Sequence, residues 1–119
     1  IGIDFTARDI QVQLKKKGMA WEISKSFDNS AVVGEWRRFD KNKIYRFHLE
    51  RNGIVVQQGS SNQMMVSFAE LLSKASGYFT ILPEDIVFTG TPANVGSVYK
   101  NDVLSGYLEN EKLFEIKII

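Results

Sequence analysis

The chain has no cysteine, which removes disulfides, thiol nucleophiles and zinc–thiolate centres together and fits a reducing compartment. No apolar run approaches the ~20 residues needed to cross a bilayer, and no signal-peptide pattern is present. The expectation is therefore a soluble, cytoplasmic protein with no membrane partner. Charge of one sign is equally scarce. Fifteen Lys and Arg face fourteen Asp and Glu, a formal net charge of +1, so no global field draws the chain toward nucleic acid. The runs Lys15-Lys16-Lys17 and Arg37-Arg38 read as solvated surface. The tetrad Trp36-Arg37-Arg38-Phe39 is too short to track a phosphate backbone, which takes many neutralising contacts. Histidine occurs once. His48 shares a strand face with Arg46 and Glu50, where a solvated residue is expected rather than a catalyst.

What is there suits one domain. With 119 residues, 44% hydrophobic and 24% charged, the chain can build its own core but with little to spare. Ile1–Phe5 reads as a short strand, followed by a loop or helical turn ending near Gly18. "FDNS" is a turn signal. "KIYRFHLERNGIVVQQG" reads as strand, Asn52-Gly53, strand, because a type I′ hairpin turn needs positive φ at both central residues. Tyr45, Phe47 and Leu49 would share one face of its first arm. "MVSFAELLSKASGYFTIL" carries the one clear helix. Ser67 and Glu70 sit at capping-box spacing, Phe68, Leu71, Leu72 and Ala75 form an apolar stripe, and Gly77 is placed to end it. Further strands are expected over Ile86–Thr89, Val103–Leu108 and Leu113–Ile119. Strands with one helix make an antiparallel-rich α+β protein, mainly β.

Polar clusters stand at the strand ends, where rigid scaffolds present functional groups: Asp4 with Arg8, Asp9 and Gln11; Lys25-Ser26; Asp28-Asn29; and Thr89-Gly90-Thr91. Each also has an ordinary explanation. Asp4 could cap a turn or pair with Arg8, Lys25 could be a surface lysine, and Thr89–Pro92 could be no more than a turn.

Taken in order, "GIDFTARDIQ", "KSFDNSAVVG", "NGIVVQQGSSNQMM" and "VFTGTPANVG" resemble the fumarylacetoacetate hydrolase family, in particular its small acylpyruvate-hydrolase-like members. The family's D-x-x-A-R-D-x-Q block is matched by Asp4, Ala7, Arg8, Asp9 and Gln11. Its K-S-F element is matched by Lys25-Ser26-Phe27, and its T-G-T-P turn by Thr89-Gly90-Thr91-Pro92. The resemblance covers essentially the whole chain. It implies a mixed β-sandwich roll, incomplete at its N-terminus, making one partial catalytic domain over residues 1–119. The family's Glu-x-Glu pair and His-x-x-Glu lid element are not matched; Glu109-Asn110-Glu111 reads as a charged hairpin turn.

The resemblance further implies Mg²⁺ or Mn²⁺ held by three carboxylates, Asp4 being one, so that this polypeptide alone should bind a divalent ion weakly. Such hard cations take oxygen ligands and can chelate a 2-oxo acid. Lys25 would assist enolisation as the catalytic residue. Gln11, Thr89, Gly90 and Thr91 would bind substrate, and Arg8 would either bind a carboxylate or pair with Asp9 to hold the loop. Asn29, Asn94, Ser97 and Asn101 depart from the family's usual residues; Asn94 replaces a common Gly, and Asn tolerates positive φ better than most. The implied activity is a metal-dependent hydrolase, decarboxylase or isomerase of small 2-oxo acids, active as a homodimer. Isomerisation of 2-hydroxyhepta-2,4-diene-1,7-dioate or 5-carboxymethyl-2-hydroxymuconate is the alternative activity. A non-catalytic remnant serving binding or dimerisation is the alternative of another class.

Overall fold

A computed structural model describes residues 1–119. Two antiparallel sheets carry the architecture. A small sheet pairs β1 (Gly2–Asp4) with β2 (Ala31–Val33), in register Gly2↔Val33 and Asp4↔Ala31. A four-stranded sheet has the order β4-β3-β5-β6, from β3 (Arg46–Arg51), β4 (Ile54–Ser60), β5 (Val103–Leu108) and β6 (Glu111–Lys117). Helix α1 spans Arg8–Lys16 and α2 spans Phe68–Ser76.

The β3–β4 hairpin turns where the Asn-Gly signal placed it, with Asn52 at φ 54° and Gly53 at φ 78°, the backbone a type I′ turn demands. The Asn52 side chain has a second task. Its amide donates to Asp102 Oδ1 (2.8 Å) and its carbonyl accepts from the Val103 N–H (2.8 Å), binding the hairpin tip to the start of β5. Inside the large sheet, a side chain on Gly106 would collide with the Phe114 ring on the neighbouring strand, so the ring packs onto the space the glycine leaves bare. Leu104 and Leu113 are buried there, while Leu14 of α1 is buried elsewhere.

Helix α2 begins as its sequence foretells. The Ser67 hydroxyl accepts from the Glu70 N–H (3.2 Å), and Glu70 Oε2 accepts from the Ser67 N–H (3.1 Å). Phe68, Leu71 and Ala75 face inward but Leu72 is exposed. Gly77 caps the helix at φ −71°, so its left-handed freedom goes unused.

Four expectations need correction. The stretch after β1 is a full helix rather than a loop or single turn. Its buried positions are Gln11 and Leu14, and a glutamine on the inner face hides the apolar period that would announce a helix. Ile86–Thr89 forms no strand, because its backbone finds no ladder partner. The last strand runs Glu111–Lys117, starting two residues early, since Glu111 already pairs with Leu108. His48 is half-buried rather than freely solvated. Its ring stacks on Tyr107 with centroids 4.5 Å apart, and its Nε2 lies 3.7 Å from Glu50 Oε1.

Asp102 is held ionised below the usual carboxylate range, first by the Asn52 amide, then by the Tyr99 N–H and the nearby Arg51. A folded-state pKa depressed in this way contributes stability above the unfolded value that is lost as pH falls through the folded one. Glu70, Glu111 and Glu115 are shifted in the same direction. The urea midpoint should therefore drop as pH falls from about 4 to about 2. Asp102→Asn should flatten part of that drop, and equal slopes for the two proteins would contradict the assignment.

Candidate active site

The site grows from the end of β1. Asp4 is the last residue of that strand, opposite Ala31 of β2, and the Phe5 N–H continues the pairing by donating to Ser30 O (2.7 Å). A short 3₁₀ turn, Glu22–Ser24, then delivers Lys25. Ser24 is fully buried. Its hydroxyl donates to Trp21 O, and its carbonyl accepts from the Ala7 N–H (3.0 Å). That second bond clamps the 3₁₀ turn against the start of α1 and sets Lys25 beside the β1 terminus.

The Lys25 ammonium donates to Asp4 Oδ2 at 2.7 Å and to Thr6 Oγ1 at 2.9 Å. Asp4's partner is thus Lys25 and not Arg8. Both side chains remain open, 36% for Lys25 and 45% for Asp4, so a small molecule could reach the pair. An ammonium carries three protons; the two bonds account for two, leaving one for a ligand.

Arg8 does not pair with Asp9. Its Nη1 donates to Gln11 Oε1 at 2.7 Å, and no ion pair links it to any carboxylate. Gln11 is 3% exposed. Because a guanidinium only donates, the glutamine must offer it the carbonyl, which turns the amide NH₂ away as the free donor.

Thr89, Gly90 and Thr91 make no hydrogen bond with Asp4, Lys25 or Gln11. Their link to the first cluster is the preceding residue: a side chain on Gly2 would meet the Phe88 ring at 3.2 Å. Gly90 adopts φ 108°, which only glycine takes readily. Gln57 Nε2 on β4 lies 3.2 Å from each of Thr91 Oγ1, Pro92 O and Ala93 O. Sequence reasoning passed over Gln57; nothing in an alternating strand marks one polar residue as an anchor.

The departures at Asn29, Asn94 and Asn101 share one explanation. They adopt φ 61°, 69° and 75°, a region asparagine enters at lower cost than most residues. Asn29 occupies the third position of the turn closed by Ser30 N–H to Phe27 O (3.0 Å), where a type II turn requires positive φ. Ser97 instead lends its carbonyl to Arg51 Nη1 (2.7 Å). The tetrad proposed and dismissed as a nucleic-acid patch is also accounted for, since Arg37 is bound by Glu35 and Glu111.

The fit of a divalent cation can be judged from the donors. Asp4 offers one carboxylate, with its Oδ2 taken by Lys25, and no group of three His, Asp or Glu residues converges anywhere in residues 1–119. These residues do not by themselves make a divalent-cation site.

Residues 1–118 match the model of the fumarylacetoacetate hydrolase C-terminal domain. The chain belongs to the fumarylacetoacetate hydrolase family. The mitochondrial oxaloacetate tautomerase of Rattus norvegicus is 34% identical over 121 residues, covering 98% of this chain and 54% of that protein. A fumarylacetoacetate hydrolase family protein of Yersinia pestis superposes with a TM-score of 0.92 at 33% identity, covering 99% of this chain and 57% of that one. The fumarylpyruvate hydrolase of Pseudomonas aeruginosa, solved with Mn²⁺ and pyruvate, gives a TM-score of 0.89 at 32% identity, covering 99% and 52%. The chain thus spans about half the length of the family members it matches. No helix is long and apolar enough to cross a membrane.

If Asn29 is retained for its backbone, Asn29→Gly should leave the unfolding free energy within about 0.5 kcal/mol, whereas Asn29→Val should cost about 1–3 kcal/mol. Denaturant titration reads both, and a valine variant as stable as the parent would refute the turn assignment.

Proposed function

We propose that the intact protein is an enzyme of small 2-oxo acids that works by stabilising the enolate formed beside the keto group. The observation that carries this reading is the Lys25 ammonium, fixed on Asp4 and Thr6 with one proton uncommitted. That proton can bond the keto oxygen of a bound acid. As a base or water takes the proton on C3, as water adds to the C4 carbonyl of an acylpyruvate and the C3–C4 bond breaks to release a carboxylic acid, or as C4 of an oxaloacetate-like acid leaves as CO₂, the electron pair left on C3 moves to that oxygen. A positioned ammonium stabilises the charge where it develops, at little reorganisation cost. Gln11 would donate its free amide N–H to a substrate oxygen, and Thr89, Gly90 and Thr91 would receive the carboxylate; Arg8 acts by orienting Gln11.

Tautomerisation, hydrolysis of an acylpyruvate and decarboxylation of an oxaloacetate-like acid share this enolate. The names of the rat and Pseudomonas relatives support two of those outcomes. Asp4 is proposed as one oxygen ligand of Mg²⁺ or Mn²⁺, supported by the Mn²⁺ in the Pseudomonas structure; the chemistry assigned to Lys25 does not pass through it.

Lys25→Ala and Asp4→Ala in the intact protein should each lower turnover of oxaloacetate or an acylpyruvate by at least about 10²-fold, the scale of losing a positioned charge-stabilising donor. The far-ultraviolet dichroism should be unchanged. Wild-type rates in both variants would end the assignment, and an inert parent would favour a binding module.

A homodimer is part of the proposal. Strands β4 and β6 are the edges of the large sheet, and edges with exposed apolar groups such as Ile54 invite pairing. Sedimentation equilibrium should give twice the protomer mass, and a strictly monomeric mass at working concentration would reject it.

A further inference from the structure

From Ile86 to Gly96 the chain makes no main-chain hydrogen bonds. The only hydrogen bonds tying this segment to the rest of the protein are the three from Gln57 Nε2, to Thr91, Pro92 and Ala93. The T-G-T-P turn is thus held by one side chain on β4. Packing assists it, since a Cβ on Gly59 would lie 3.1 Å from Pro92 Cβ, so Pro92 seats on a strand position kept bare. Gln57 pairs with Leu49, while the next pair is Glu50 with Val55. Val56 is therefore the extra residue of a β-bulge, a device that re-aims the adjoining side chain.

The direction of these bonds follows from chemistry. The turn presents three oxygens, two of them carbonyls that only accept, so the amide must face them with its NH₂. An amide nitrogen does not accept. Its two protons are shared among the three oxygens, so the Thr91 hydroxyl can meet Gln57 only as an acceptor, and its own proton has to point elsewhere.

We propose that Gln57 is a positioning residue that turns the Thr91 hydroxyl proton toward the carboxylate of a bound 2-oxo acid. This rests on the enolate chemistry proposed above and decides between the two threonines: Thr91 is the donor. Glutamate at position 57 would be the same size but would set a carboxylate against three acceptor oxygens. Lysine would keep a donor.

The test uses the intact protein with oxaloacetate as the probe and compares Gln57→Glu, Gln57→Lys, Thr91→Val and the Gln57→Glu/Thr91→Val double variant. Loss of one hydrogen bond to a charged group should raise KM about tenfold in Gln57→Glu and in Thr91→Val, with kcat within about threefold. Gln57→Lys should stay within about threefold of the parent KM, because its ammonium still donates. In the Thr91→Val background, Gln57→Glu should add little, the coupling expected of two groups acting as one. Proteolytic cleavage within residues 86–96 should accelerate in Gln57→Glu, because the segment loses its only hydrogen-bonded anchor.

An unchanged KM in Gln57→Glu, with or without faster cleavage, overturns the proposal; so does an equal further penalty on top of Thr91→Val. Should Gln57→Glu fail to fold, Gln57→Met removes the donor without adding charge and is read the same way. If the parent turns over no 2-oxo acid, the enolate reading falls and the carboxylate role of Thr91 with it. The cleavage rate then decides separately whether Gln57 holds the turn.

Discussion

The bond between the Lys25 ammonium and the Asp4 carboxylate is the constraint on which the site depends. It spans 21 residues of sequence and joins the end of a strand to the end of a 3₁₀ turn. As an exposed ion pair it contributes little to stability. Its value is geometric. Asp4 cannot move far because β1 is paired with β2 on either side of it, and Lys25 cannot because buried Ser24 is bonded to the first residue before α1. Two backbone restraints thus hold two flexible side chains at 2.7 Å.

The same economy runs through the neighbouring groups. Arg8 donates to Gln11 and settles which end of that amide is free. Gln57 donates to the Thr91 turn and, as proposed, orients its hydroxyl. In each case a residue that only donates, or an amide facing several oxygens, leaves one orientation open to its partner. The groups so left open are donors: the Lys25 ammonium, the Gln11 amide and, as proposed, the Thr91 hydroxyl. A ligand meeting them needs acceptors, and a 2-oxo acid carries a keto oxygen and a carboxylate within two carbons.

The backbone explains how a family fold tolerates unfamiliar residues. Asn29, Asn94 and Asn101 each stand in the left-handed region. There the short amide side chain can bond locally and offset part of the steric cost. These positions constrain φ and leave the chemistry to their neighbours, so the exchanges leave Asp4 and Lys25 where they are.

Much was legible from the residues alone, and the boundary is physical. The Asn52-Gly53 hairpin and the Ser67–Glu70 capping box are local demands, written by neighbouring residues into the local backbone. The motif order also named the family, because Asp4, Lys25 and the Thr89–Pro92 turn recur at specific spacing. Sequence could not show that Arg8 would choose Gln11 over Asp9, nor that His48 would stack on Tyr107. It could not show that Ile86–Thr89 would lack a ladder partner, or that Gln57 would carry the turn. Those outcomes rest on contacts between residues far apart in the chain, which are decided by strand register and by the placement of whole elements. A one-residue change of register would send every such side chain to the opposite face, so only the tertiary structure could decide them.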